Sequence, residues 1–162
     1  RYLIFDLPVF AQVQTFYLQA HGHEVRMLPQ HLPDFLAGVQ GVYIALDHHA
    51  LGDALRVLEE ESLRSCFIGM WSLAEAPRES RDPLRLLLPR FSSVMLGFHA
   101  SWGGIDNDEF LKETREEFET NKSKRKLEVT SFILTLPAEI SAKDRYWIAT
   151  SSTGNSKVQV EL

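Results

Sequence analysis

Hydrophobic residues in the first part of the chain form short continuous runs, separated by stretches in which they recur every three or four positions. Continuous runs of this length predict buried strands, at 2–5, 24–28, 42–46, 66–71 and 94–98. The recurring spacing predicts helices, at 9–22, 32–38, 50–65 and 77–89. We expect Pro83 to interrupt the last helix, since proline cannot donate its backbone hydrogen bond. Alternating strands and helices predict an α/β fold with a mainly parallel sheet.

The last third of the chain has a different pattern. The stretch "NDEFLKETREEFETN" predicts a helix that is capped by Asn107 or Asp108, with acidic residues in its first turn where the helix dipole favours them. The β-rich runs "KLEVTSFIL" and "RYWIATSS" follow, and they predict an antiparallel pair of strands at the end of the sheet. We therefore expect one α/β domain that covers residues 1–162.

Composition and net charge limit the classes of protein to which the chain can belong. The chain has 162 residues, which suits one domain, and a formal net charge of −5, which argues against binding along DNA or RNA. Neither a signal peptide nor an apolar stretch of membrane-spanning length is visible in the sequence. Cys66 is the single cysteine, so no intrachain disulfide can form, and its apolar neighbours predict a buried thiol. These features predict a cytoplasmic protein with no membrane or nucleic-acid partner.

Ligands in parallel α/β sheets bind beyond the carboxyl ends of the strands, so polar residues that follow strands are the candidates for a site. Asp6 is the first of them. Its carboxylate could accept hydrogen bonds from the two hydroxyls of a ribose. It could equally cap the helix that is entered through Pro8. The residues themselves leave both interpretations open.

The loop "WSLAEAPRESR" is the second candidate. Ser72 and Glu75 have the spacing of a helix capping box, which would give them a structural role. Alternatively, Ser72, Glu75 and Arg81 form a polar cluster that faces a substrate hydroxyl, with Trp71 as an apolar wall.

The segment "FHASWGGIDND" is the third candidate. His99 follows a strand and could act as a general base, because imidazole titrates near neutral pH. Gly103 and Gly104 permit close approach of a backbone, and Asp106 and Asn107 offer oxygens to a substrate. A buried structural role for the histidine is the competing interpretation.

A metal site is not expected. In "DHH", which holds Asp47, His48 and His49, adjacent side chains on an extended segment point to opposite sides and cannot converge on one ion. No metal-ligand spacing, Walker loop or nucleophile elbow occurs elsewhere in the sequence.

Three of these segments together resemble the sugar O-methyltransferases, a branch of the class I methyltransferases that use S-adenosylmethionine. They are "YLIFDLPVFAQVQTFYL", similar to that family's strand, aspartate, "LP" and helix pattern; "WSLAEAPRESR", similar to its "SLSE" loop; and "GFHASWGGIDNDEF", similar to its segment that ends in "DN" and an aromatic residue. The late stretch "LTLPAEISAKDRYWIATS" resembles a divergent form of its closing strand pair.

The resemblance implies a Rossmann-like fold and methyl transfer to a sugar-type hydroxyl, with S-adenosylmethionine as cofactor. It would place Asp6 and Ser72 at the cofactor and make His99 the base, with Glu75 as second choice. The residues expected at a small-molecule acceptor, a sugar, are Trp71, Arg81, Asp106 and Asn107.

The chain departs from that family at its start, because the first strand and the glycine-rich loop that should precede Asp6 are not in the sequence. The expected sheet is therefore N-terminally incomplete, and activity is expected within a larger protein or a homo- or hetero-oligomer. The alternative is a non-catalytic module that pairs its sheet edge with another chain. A third possibility is an α/β domain that binds a nucleotide or sugar and transfers no methyl group.

Overall fold

Strands and helices alternate as predicted in the computed structural model, which describes residues 1–5, 8–60, 64–70, 72–135 and 144–153. The chain divides into two compact units, Arg1–Leu63 and Arg64–Leu162. Each unit has its own sheet. The expectation of one domain over 1–162 stays a prediction.

The first unit is a small parallel α/β arrangement. Its elements are β1 (Tyr2–Phe5), α1 (Pro8–Ala20), β2 (Val25–Met27), α2 (Leu32–Leu36), β3 (Val42–Ala45) and α3 (His48–Glu60). The three strands are ordered β1-β3-β2 and both pairings are parallel. The central strand β3 buries Tyr43, Ile44 and Ala45, as expected for a parallel strand covered on both faces.

Helix α1 is present as predicted, but its apolar residues are not all used in packing. Ala11 is buried, whereas Val9, Phe10, Phe16 and Tyr17 are exposed. The spacing of apolar residues therefore predicted the helix but did not predict which of these residues are buried.

The second unit contains the remaining elements. They are β4 (Cys66–Met70), α4 (Ser72–Glu75), α5 (Arg78–Leu87), a 3₁₀ turn (Leu88–Arg90), β5 (Ser93–His99), β6 (Ser101–Trp102), β7 (Ile105–Asp106), α6 (Asn107–Lys124), β8 (Glu128–Thr135) and β9 (Asp144–Ser152). Four strands form a sheet ordered β4-β5-β9-β8.

This second sheet is mixed. Strands β4 and β5 are parallel, and β9 runs antiparallel to both β5 and β8. The predicted antiparallel pair at the end of the chain is thus confirmed. Strand β9 lies between β5 and β8, which places the last described strand beside the last parallel one.

The core of the second unit lies between α6 and the sheet. Phe118 of α6 and Trp147 of β9 are both 0% exposed, and their rings meet edge to face with centroids 5.6 Å apart. Edge-to-face packing brings the positive ring edge against the negative ring face, so this pair stabilises the contact beyond its buried area.

Helix α6 begins at a different cap from the one predicted. Asp106 is the N-cap, and its Oδ1 accepts a hydrogen bond of 3.1 Å from the backbone nitrogen of Glu109. Asn107 and Asp108, the predicted caps, are the first residues of the helix. The prediction of the helix is confirmed and the identity of its cap was wrong.

Two further expectations are corrected. Helix α5 continues through Pro83 from Arg78 to Leu87, and its buried residues Arg81 and Leu84 flank the proline. Cys66, expected to be buried, is exposed at the start of β4. Within the described part of the chain, no helix combines the length and the apolar character that a membrane crossing requires.

Candidate active site

The carboxyl ends of β4 and β5 lie at the same edge of the second sheet. The two strands are parallel and Met70 is paired with Gly97, so both strands end side by side. Helix α4, which ends at Glu75, follows β4, and His99 is the last residue of β5. This is the edge at which parallel α/β sheets bind ligands.

His99 is held by an acid on the neighbouring strand. Asp144 begins β9 and lies directly opposite His99 in the antiparallel register. Nδ1 of His99 lies 2.6 Å from Oδ1 of Asp144, and both side chains are partly buried. The contact is a short ion-pair distance and not an aligned hydrogen bond, because Oδ1 of Asp144 has no hydrogen-bond partner in the described part of the chain. A carboxylate beside Nδ1 favours a proton on that nitrogen, which would leave Nε2 as the nitrogen that accepts one. A histidine beside a carboxylate is a recurring catalytic arrangement.

The imidazole of His99 also stacks on an indole. The ring of Trp102 is nearly parallel to it, at an angle of 18° and a centroid distance of 5.8 Å. Trp102 belongs to the β6–β7 hairpin, in which it pairs with Ile105. The two turn residues, Gly103 and Gly104, have φ of 53° and 83°, the left-handed values that a two-residue turn between paired strands requires.

Arg81 and Asn107 form a buried polar link to the end of β5. Their exposed fractions are 2% and 1%. Nη1 of Arg81 donates to Oδ1 of Asn107 at 2.6 Å, and Nδ2 of Asn107 donates to the carbonyl of His99 at 2.8 Å. The backbone nitrogen of Asn107 donates to Ala100 at 3.0 Å. These contacts fix the backbone that carries His99, while the prediction that both residues bind substrate stays a prediction.

The guanidinium of Arg81 lies over the ring of Phe110, with 4.3 Å from Cζ to the ring centroid. Burial lowers the pKa of Arg81, and the neighbouring charge of Arg78 lowers it further. In the described part of the chain, Nε of Arg81 has no hydrogen-bond partner. The amide of Asn107, the ring of Phe110 and the nearby charges of Asp82 and Glu113 compensate in part for this desolvation.

The other predicted site residues are less informative. Asp106 is exposed and caps α6, and Glu75 is exposed at the end of α4. Ser72 begins α4, but its side chain is outside the described residues. Asp6 and Trp71 also lie outside the described residues. For these five residues the predicted ligand contacts stay predictions.

Two residues of this site were missed from the sequence, Asp144 and Trp102. Asp144 directly precedes the β-rich run "RYWIATSS". An antiparallel strand beside β5 must place its first residue near the last residue of β5, so the order of strands would have identified Asp144. Trp102 lies within the segment "FHASWGGIDND", next to a two-glycine turn that is typical of a hairpin.

An apolar crevice lies beside this edge, between β4, β5, α4 and α6. Leu73, Ala74, Phe98 and Phe110 are among the residues that line it. Its volume of about 10 Å³ is room for roughly one water molecule. An adenosyl group does not fit there, so these residues do not by themselves form a pocket for S-adenosylmethionine. Among the described residues, no group of three or more His, Cys, Asp and Glu side chains could hold a metal ion.

Comparison with known proteins gives weak likenesses. No protein-family model and no curated protein matches the chain. The crystal structure of an rRNA methylase from Streptococcus thermophilus is 13% identical, with a TM-score of 0.48, covering 92% of this chain and 72% of that one. The methyltransferase domain of bacterial CtHen1-C is 10% identical, with a TM-score of 0.34, covering 87% of this chain and 96% of that one. Because both identities are low and both superpositions loose, we infer function from the side chains of this chain.

Proposed function

We propose that this chain takes part in S-adenosylmethionine-dependent methyl transfer to a sugar-type hydroxyl, alone or within a larger protein. The pair formed by His99 and Asp144 is the observation on which the proposal depends. It joins a base to an acid that orients it, at the edge of the sheet where ligands are expected. The resemblance of the segments around Asp6, Ser72 and His99 to the sugar O-methyltransferases supports the choice of reaction.

The proposed role of His99 is to accept the proton of the acceptor hydroxyl at Nε2. An alcohol is a poor nucleophile until its proton is removed, so a correctly placed base raises the rate of transfer. Asp144 acts as a positioning residue, because its carboxylate fixes the proton at Nδ1 and stabilises the imidazolium that forms. Asp6 and Ser72 are the residues proposed at the cofactor, and Glu75 is the second candidate for the base.

Binding of S-adenosylhomocysteine measured by isothermal titration calorimetry tests the cofactor half of the proposal. We expect saturable binding that Asp6→Ala weakens by tenfold or more. Asp53→Ala is the matched control, because Asp53 is an acid of the same unit that lies 3.5 Å from Arg56 on the outside of α3. No heat at millimolar ligand, or equal loss in both variants, would contradict the proposal.

The transfer of a labelled methyl group to a panel of sugars tests the base. His99→Gln should reduce the rate about a hundredfold or more, the usual contribution of a general base. Asp144→Asn should reduce the rate while leaving S-adenosylhomocysteine affinity unchanged. A His99→Gln variant that keeps the full rate of methyl transfer would exclude His99 as the base and leave Glu75 as the candidate.

A further inference from the structure

Trp102 presents an aromatic surface directly beside the proposed base. Its ring is nearly parallel to the imidazole of His99, and the centroid distance of 5.8 Å shows that the two rings are offset, so the imidazole overlaps only part of the indole. Trp102 is 47% exposed, so part of its surface beside His99 is open to a ligand. Exposed apolar side chains are common on protein surfaces, so the position of Trp102 beside the proposed base, and not its exposure alone, makes it a candidate ligand contact.

The hairpin that carries Trp102 fixes its position. Trp102 and Ile105 are paired across the two-glycine turn, and the hairpin leads directly into the cap of α6. A Cβ added at Gly103 or Gly104 would meet nothing within 4 Å, so neither position is closely packed. Strand pairing and the ring contact with His99 restrain the indole before any ligand binds, which lowers the entropy lost on binding.

We propose that Trp102 is the acceptor-binding platform, on which the apolar face of a pyranose ring stacks beside His99. This inference rests on the proposed function for its sugar substrate. The C–H bonds on one face of a pyranose are weakly positive and complement the negative face of an indole. Stacking there would bring the hydroxyls at the ring edge toward the imidazole that lies against the same tryptophan.

The charged residues around Trp102 indicate whether a neutral or a charged sugar would bind there. Residues 99–109 and 144–145 contain four acids, Asp106, Asp108, Glu109 and Asp144, and one basic residue, Arg145. Nε of Arg145 lies 3.4 Å from Oδ1 of Asp108, and Nη1 of Arg78 lies 3.8 Å from Oε2 of Glu109. These two pairs leave the carboxylates of Asp106 and Asp144 as the remaining charges of the set. A phosphate or carboxylate on the ligand would meet net negative charge, which disfavours binding. The platform therefore suits a neutral pyranoside rather than a sugar acid or a sugar phosphate.

Saturation-transfer NMR with methyl glucoside, methyl galactoside, methyl mannoside and galacturonic acid tests this inference without requiring methyl transfer. We expect a neutral pyranoside to bind with saturation on the protons of one ring face. Trp102→Ala should lower its affinity tenfold or more, and Trp102→Phe should lower it only a few-fold. Leu134→Ala is the control, because Leu134 is an exposed apolar residue of β8 and should leave the affinity unchanged.

Three results would overturn the inference: no pyranoside binds at tens of millimolar, galacturonic acid binds best, or Trp102→Ala binds like the wild type. Circular dichroism of Trp102→Ala shows whether its fold is retained, and Trp102→Phe supplies the comparison if it is not. If the wild-type protein does not bind S-adenosylhomocysteine, the proposed function fails, and that result is independent of the sugar-binding test. Sugar binding that depends on Trp102 would still support the platform in that case.

Discussion

Nη1 of Arg81 donates a hydrogen bond of 2.6 Å to Oδ1 of Asn107, inside the second unit and away from solvent. Asn107 in turn holds the carbonyl of His99. Arg81 of α5 is thereby linked through Asn107 to the backbone that carries the proposed base, although Arg81 and His99 are not neighbours in sequence. Removing one partner of a buried hydrogen bond leaves the other unsatisfied, so we expect the link to be sensitive to substitution.

Arg81→Leu should destabilise the fold. The substitution leaves the amide oxygen of Asn107 buried without its donor, and we expect a loss of about 1–3 kcal/mol in the free energy of unfolding. Urea unfolding followed by circular dichroism measures it. The control is Ser80→Ala, an exposed neighbour on the same helix, for which a change within about 0.5 kcal/mol is expected. Equal stability of Arg81→Leu and the wild type would contradict the link.

Ion pairs between α5 and α6 give a second prediction. Nη1 of Arg85 lies 2.6 Å from Oε2 of Glu117, and both side chains are mostly buried. Glu117→Gln should therefore cost about 1 kcal/mol of stability at low salt, and less in 1 M salt, where charge interactions are screened. Glu113→Gln, at the more exposed pair with Arg78, should lose less than Glu117→Gln.

Glu116→Gln is the matched control for these ion pairs, because Glu116 is an exposed acid on the same helix. Its stability should equal that of the wild type at both salt concentrations. A loss in Glu117→Gln that is unaffected by salt would show that packing, and not charge, stabilises the contact.

The contact between Phe118 and Trp147 should dominate the core of the second unit. Phe118→Ala removes a fully buried ring and leaves a cavity, so the expected loss is about 3–5 kcal/mol. Trp102→Ala removes an exposed ring and should change stability by no more than about 0.5 kcal/mol. The two variants can be compared by thermal unfolding, and similar losses would contradict the assignment of the core.

Cys66 should be accessible but slow to react. It is exposed at the start of β4, while partial burial of its thiol raises the pKa. A raised pKa means less thiolate at any given pH, and the thiolate is the reactive form. Ellman's reagent should label the native protein, with a rate that rises at a higher pH than for an unstructured cysteine peptide. Labelling only after denaturation, or a midpoint at or below that of the peptide, would contradict this expectation.

Helices and strands could be predicted from the sequence because the spacing of apolar residues that identifies each is visible within a few neighbouring positions. The helix beginning near Asn107 and the closing strand pair both follow from spacing alone, and both are present. The cap was misassigned because "DND" offers three residues that can cap, and only the path of the preceding hairpin selects Asp106. Helix α5 continues through Pro83 while burying Arg81 and Leu84, and such tertiary packing is not included in the local rule for proline.

The candidate site was predictable only in part. His99 could be found because it follows a strand that the pattern identifies. Its partner Asp144 is set by which strands are neighbours, a property of the sheet that hydrophobic spacing does not contain. Cys66 was misplaced for a similar reason, since an apolar run predicts a strand but does not predict which of its side chains face solvent.

The orientation of the base is the central claim, and long-range ¹H–¹⁵N NMR of the imidazole tests it most directly. The His99 signals, assigned by their loss in His99→Gln among the 6 histidines, should show neutral His99 protonated at Nδ1 in the wild type. Asp144→Ala should shift His99 toward the Nε2–H form that an unconstrained histidine side chain prefers. An Nε2–H tautomer in the wild-type protein, unchanged in Asp144→Ala, would contradict the account.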